Sequence, residues 1–217
     1  MKLHQNILFD FIIPSFFIST KVNAVYVSGL KRLFKLDGNL VDSSSFGEHA
    51  TAEAVPPSAA GHGITFPIDS FGAQSSRQVS EFNGNGKALG SATMLPGGSA
   101  PRTIVGWFKM TANDLGGLNQ NGPFGYGRSG CNNAFYTWLD GNDNMQLDYW
   151  CQDEGINPIM HPENNRWYHL ALSWDGTHNK AYLNGQFLKS AVPDKLPNTI
   201  VDNRSVLCHI ISKGEYT

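Results

Sequence analysis

The sequence predicts an all-β fold, a sandwich or barrel of short antiparallel strands, and three observations predict it. Runs with two-residue hydrophobic alternation recur at short intervals, separated by clusters of Gly, Pro, Asn and Ser. No stretch repeats apolar residues at helical spacing for more than about two turns. The composition agrees, since 16% charged residues beside 23 Gly and 11 Pro favours turns over long, charge-faced helices.

Taken in order, the first strand is expected over residues 30–36, stopped by Asp37-Gly38-Asn39. Residues 53–77 read as a connection with one short strand at Ile64-Thr65-Phe66, and residues 79–82 as a strand ended by Asn83-Gly84-Asn85-Gly86. Residues 102–110 (RTIVGWFKM) alternate, with Thr103, Val105 and Trp107 on one face. Residues 115–130 are loop-like and belong at a rim. Residues 135–139 and 145–150 form a hairpin about the turn Asp140-Gly141-Asn142-Asp143. Residues 167–174 (WYHLALSW) place Tyr168, Leu170, Leu172 and Trp174 on one face. Residues 180–183 return after Asp175-Gly176, and Asn184-Gly185 joins them to residues 186–189, because a type I′ turn needs positive φ at both central residues.

A chain of 217 residues suggests one domain, and 13 Phe, 7 Tyr and 5 Trp supply a core of matching size. The formal charge of −2, with no Lys/Arg block, argues against nucleic acid or an anionic membrane as partner. Residues 1–24 read as a signal peptide: Met1-Lys2 is a positive start, residues 7–18 are mostly apolar, and Val22-Asn23-Ala24 offers small residues for cleavage. Asp10 and Pro14 interrupt the apolar run, so a misplaced gene start is the alternative; stable membrane insertion needs about 20 uninterrupted apolar residues. The domain would then occupy residues 25–217 of a secreted, extracellular protein.

Folding residues 132–150 as a hairpin centred near Gly141 sets Cys131 opposite Cys151, so a cross-strand disulfide is geometrically reasonable in an oxidising compartment. Two buried thiols are the alternative. Cys208 is left over, and no C-x-x-C or paired-His spacing accompanies any of the three.

Three stretches resemble the laminin-G-like jelly roll of the concanavalin A-like lectin/glucanase superfamily, the pentraxin kind included. They are residues 33–45 (LFKLDGNLVDSSS), 103–109 (TIVGWFK) and 167–186 (WYHLALSWDGTHNKAYLNGQ). The last is similar to the family's W-x-H-[VL]-A-x-x-[YW]-D-G … Y-[VL]-N-G signature. The resemblance covers residue 30 to the C-terminus and implies a two-sheet antiparallel jelly-roll sandwich. It implies structural work for the motif: Trp167 and Trp174 anchor the core, and Trp107 is the buried tryptophan of its strand. It also implies a closing strand that residues 206–217 do not resemble, which would leave a sheet edge unpaired, as in a truncated chain whose Cys208 has its partner beyond Thr217.

The resemblance allows a calcium site near the termini or rim, for which Asp37, Asn39 and Asp42 offer three oxygens in one turn. The alternative is that these side chains bond their own backbone. Asp140, Asn142 and Asp143 read as a turn. Tyr126, Asn132 and Asn133 are the candidate ligand-binding residues, on or beside a rim loop, since glycan recognition wants rings to stack on sugar faces and amides for the hydroxyls. Asn203-Arg204-Ser205 is a glycosylation sequon with Asn203 as acceptor. No catalytic residue is expected: the E-x-D-x-x-E pattern of related glucanases is missing, Asp148, Asp153 and Glu154 do not share one strand face, and His169 has no acid beside it in its strand. The expectation is therefore a non-catalytic binding or adhesion module for a glycan or an extracellular protein. The alternatives are a structural accessory domain of a larger secreted protein and, third, a glycosidase.

Overall fold

The computed structural model of the chain describes residues 2–9, 29–54, 63–70, 76–82, 86–111, 121–128, 130–150, 155–202 and 205–210. Among these there are eighteen strands and no helix, hence no helix long and apolar enough to cross a membrane.

The largest sheet contains β1 (Lys2–Phe9), β2 (Arg32–Phe34), β4 (Ile64–Thr65), β7 (Ser80–Phe82), β9 (Arg102–Lys109), β15 (Trp167–Trp174), β16 (Asn179–Leu183) and β17 (Gln186–Ala191). Its order is β17-β16-β15-β9-β1-β7-β4, with β2 also paired to β1. A second sheet, β10-β18-β8-β3, joins Asn121–Gly122, Ser205–Ile210, Gly86–Gly90 and Thr51–Ala54. A third runs β11 (Gly125–Gly127), β12 (Ala134–Leu139), β13 (Met145–Asp148) and β14 (Ile156–Met160). β5 (Ile68–Ser70) and β6 (Ser76–Gln78) form a separate ribbon. Every pairing is antiparallel, and the two four-stranded sheets lie side by side, sharing one apolar core with the large sheet. The architecture is an all-β jelly-roll sandwich.

The core follows from strand alternation. On β15, Tyr168, Leu170, Leu172 and Trp174 are buried, while Trp167, His169 and Ala171 are only half-buried on the other face. On β9 the buried set is Ile104, Gly106 and Phe108. Thr103, Val105 and Trp107 therefore share a face as expected, but it is the outer one. The anticipated core roles of Trp107 and Trp167 are corrected accordingly; Trp174 alone of the three is fully buried, its indole N–H donating to Ser99 O at 3.0 Å. The β16–β17 loop has φ of 51° at Asn184 and 81° at Gly185, the backbone a type I′ turn requires. Asn184 ties this loop to β15 twice, accepting from His169 N–H at 3.0 Å and donating to His169 O at 2.7 Å.

Two stretches read as connections carry more order than expected. Residues 53–77 hold three further short pieces of strand besides β4, and Gly125–Gly127, expected at a rim loop, is a buried strand paired to β12. Residues 2–9, inside the expected leader, form β1 between β9 and β7. Ser205–Ile210, not expected as a strand, pairs with β8 and β10.

Candidate functional site

The singled-out residues that fall among the described ones have definite places. Asp42 is buried and bonds its own neighbourhood: Oδ1 accepts from the amides of Leu33 (2.9 Å) and Ser44 (2.8 Å), and Oδ2 from Ser44 Oγ (2.7 Å) and the Glu48 amide (3.1 Å). Buried Arg32 stands 3.9 Å from it and also pairs with Glu48. Asp37 and Asn39 are exposed, and Asn39 Oδ1 accepts from the Val41 amide at 2.9 Å. Four protein donors thus already occupy the Asp42 carboxylate. Among the described residues no group of three or more His, Cys, Asp or Glu could hold a metal ion.

Tyr126 is corrected from surface to core. It is 2% exposed and donates to Pro96 O at 2.8 Å. The Arg102 guanidinium lies 5.9 Å from its ring centre, and burial pushes the phenol up to about 12 against a weaker opposing pull from Arg102. Asn132 and Asn133 serve as a clasp for residues 196–200. Asn132 Nδ2 donates to Leu196 O at 2.8 Å, and the carbonyls of Asn132 and Asn133 accept from the amides of Asn198 and Ile200. Cys131 is disulfide-bonded. Asn132 N donates to Trp150 O at 3.2 Å. Cys151 and Asn203 lie outside the described residues, as does the side chain of Cys208.

A further cluster of aromatic and polar side chains lies on the face of β12 and β13 turned away from the shared core. Phe135, Leu139, Met145, Leu147 and Tyr149 fill the core. Alternation sends Tyr136, Trp138, Gln146 and Asp148 to the opposite face, where Tyr136 pairs with Asp148 and Trp138 with Gln146. Trp150 continues this face beyond β13. The rings form a cluster: Tyr136 is 5.7 Å from Trp138, edge-on, and 5.5 Å from Trp150, tilted. Tyr136 and Trp150 are half-buried, while Trp138, Gln146 and Asp148 are buried.

Two local features hold this face. Trp150 has φ of 73°, a left-handed backbone that costs a bulky residue about 1–2 kcal/mol. Asp148 Oδ1 stabilises that conformation by accepting from the Trp150 amide at 2.6 Å, an Asx turn. Gly125, opposite Tyr136 on β11, lets the two strands close up: a Cβ there would lie 2.1 Å from Tyr136 Cβ. The cluster brings three aromatic rings, a carboxylate and an amide together on one face. The sequence signal was present but unread: in FYTWL and MQLDYW, Tyr, Trp, Gln, Asp and Trp alternate out of phase with the aliphatic residues.

A second aromatic surface lies on the outer face of the large sheet. Trp107 and His169 rings are 5.0 Å apart, and Lys109, ion-paired with Asp69, places Nζ 5.3 Å from the Trp167 ring centre. Burial alone lowers the His169 pKa, favouring the neutral imidazole.

The Laminin_G_3 family model, described as the concanavalin A-like lectin/glucanases superfamily, matches residues 82–207, more than half of the chain. The chain belongs to this superfamily. The match takes in the second and third sequence motifs and begins after residues 33–45. Solved structures of similar shape include domain 4 of AbnA, an extracellular GH43 arabinanase of Geobacillus stearothermophilus, in complex with arabinotriose. It aligns with TM-score 0.52 at 18% identity, over 82% of this chain and 80% of that one. The binding domain of botulinum neurotoxin serotype D/C VPI 5993 aligns with TM-score 0.51 at 10% identity, over 82% and 42%. The receptor binding domain of the C/D mosaic serotype gives 0.50 at 13%, over 81% and 41%. At such identities the likeness is one of fold, and the chain spans less than half of either neurotoxin domain. No curated protein matches the sequence.

Proposed function

We propose that this concanavalin A-like domain is an extracellular, non-catalytic recognition module that binds a glycan on the β12–β13 face. The observation that carries the reading is the Tyr136–Trp138–Trp150 cluster with Asp148 and Gln146 alongside. Sugars offer apolar C–H faces to stack on rings and hydroxyls that pair with carboxylate and amide groups, and burial of a ring in such a contact dominates its energetics. The arabinotriose complex of the AbnA domain supports the class of ligand for a fold of this kind. A non-catalytic role is supported by the carboxylates: Asp148 is the one acidic side chain in β11–β14, and glycoside hydrolysis wants a pair flanking the bond. Secretion and a Cys131–Cys151 bridge belong to the same reading, since disulfides persist in oxidising compartments.

Titration of the chain with a panel of neutral oligosaccharides, arabinans and β-glucans included, tests it by calorimetry and tryptophan fluorescence. At least one should bind and shift the emission, and Trp150→Ala should weaken that binding about tenfold or more. Absence of binding across the panel, or turnover of a β-glucan that Asp148→Asn abolishes, would overturn the reading.

A protein partner is the second reading, favoured by the apolar side chains beyond β16. Phe187, Leu188, Val192 and Leu196 are 40–65% exposed and lie in one stretch of chain.

A further inference from the structure

The large sheet contains a slot that a strand must fill. β9 is paired along its whole length by β15, from Trp167↔Lys109 to Trp174↔Arg102. Its other side is paired by β1, and beyond β1 stand β2 and β7. Were β1 absent, the facing backbone groups of β9, β2 and β7 would lose their strand partner. Buried Ile104 and Phe108 on one side, and Phe34 and Phe82 on the other, would border a gap of about 9–10 Å, two strand spacings.

β1 fills this slot with an imperfect register. It is antiparallel to all three neighbours and pairs Lys2↔Lys109, Leu3↔Phe108 and His4↔Trp107, then resumes at Leu8↔Val105 and Phe9↔Ile104. A step of four residues along β1 thus answers a step of two along β9, so two residues are surplus. Without Gln5 and Asn6, Ile7 would fall opposite Gly106 and the ladder would run unbroken. A two-residue surplus forfeits ladder hydrogen bonds that an uninterrupted strand would make.

We propose that the gap between β9 and the β2/β7 pair is a strand-acceptor site, with Lys2–Phe9 as its exchangeable occupant in the chain before leader cleavage. Its ligand is an extended peptide segment of six to eight residues, antiparallel to β9 and rich in apolar side chains, and a segment without the surplus pair binds more tightly. Main-chain hydrogen bonds supply the affinity and the bordering core side chains the selectivity, as in other strand additions.

The test uses the full chain. Leu3→Pro combined with Leu8→Pro removes two backbone donors from β1 and should lower the thermal midpoint by roughly 10 °C, whereas deletion of Gln5 and Asn6 should raise it. A full-length variant with a protease site replacing residues 20–24 is then folded, cut and mixed with fluorescent peptides. A peptide with the sequence of residues 2–9 should displace the cut segment, the peptide lacking Gln5 and Asn6 should do so at lower concentration, and a scrambled peptide should not enter. An unchanged midpoint in the proline variant overturns the proposal, as does a cut chain that takes up no labelled peptide or takes up the scrambled one equally.

Discussion

Asp42 shows how much one side chain can organise. Its carboxylate holds the amides of Leu33, Ser44 and Glu48 together, so the segment after β2 closes around a buried charge next to Arg32. Removing one partner of a buried charge pair leaves the other uncompensated and strands the donors it served. Asp42→Ala should therefore cost about 3–5 kcal/mol in urea unfolding. Asp37→Ala, at an exposed site, should stay within about 0.5 kcal/mol. His169 makes a prediction in pH. Its folded pKa is depressed by burial, so its stabilising contribution is present above the ordinary histidine value near 6.5 and is lost as pH falls through the lower folded value. Between pH 7 and pH 5 the native chain should lose more unfolding free energy than His169→Gln, and equal losses would contradict this.

At the scale of elements, the packing of β10 and β11 against β12 rests on glycines. A Cβ at Gly122 would come 1.9 Å from Thr137 O, and one at Gly125 would clash with Tyr136. Gly125→Ala must push the strands apart and should lower stability by about 1–3 kcal/mol. Because Tyr136 moves with β12, the same variant should also weaken glycan binding, which a purely structural role for the ring cluster would not show. Much at this scale could be read from sequence. WYHLALSW announced its buried face through period-two alternation, and Asn184-Gly185 announced its turn through the need for positive φ. The β12–β13 hairpin followed from Asp140-Gly141-Asn142-Asp143. What could not be read was which face of a strand turns inward when both carry large side chains: Trp107 and Trp138 look like core residues, yet each stands on the side away from it. The β11 strand was hidden for a related reason, because Gly-Tyr-Gly has the composition of a turn and becomes a strand only through its partner β12. Tyr126 went with it, mistaken for an exposed ring.

For the whole molecule, the decisive contacts are those that cross between sheets. Tyr149, just after β13, donates its hydroxyl to Asn179 Oδ1 on β16 at 2.6 Å inside the core. Tyr149→Phe leaves the buried amide without that donor and should cost about 1–3 kcal/mol, measured by thermal or urea unfolding. Tyr149 is flanked by Asp148 and Trp150, so this bond also fixes the β12–β13 face to the opposite sheet. None of this long-range pairing was visible in the chain, since the two residues are 30 positions apart and neither belongs to a motif. The candidate site is hidden for the same reason: four of its five side chains come from two strands and Trp150 from just beyond the second, and only the register makes them neighbours.

The Asn184-Gly185 turn has one more consequence, in time rather than in space. Both residues are exposed, and Gly185 has no side chain to shield its amide nitrogen from the Asn184 side-chain carbonyl. Attack there expels ammonia and gives a cyclic imide, which water opens to aspartate or to isoaspartate with a backbone one carbon longer. The longer backbone no longer fits a two-residue loop, so a stored preparation should accumulate a more acidic form whose β16–β17 hairpin has lost its register. The residue pair that gives the hairpin its shape also sets its shelf life.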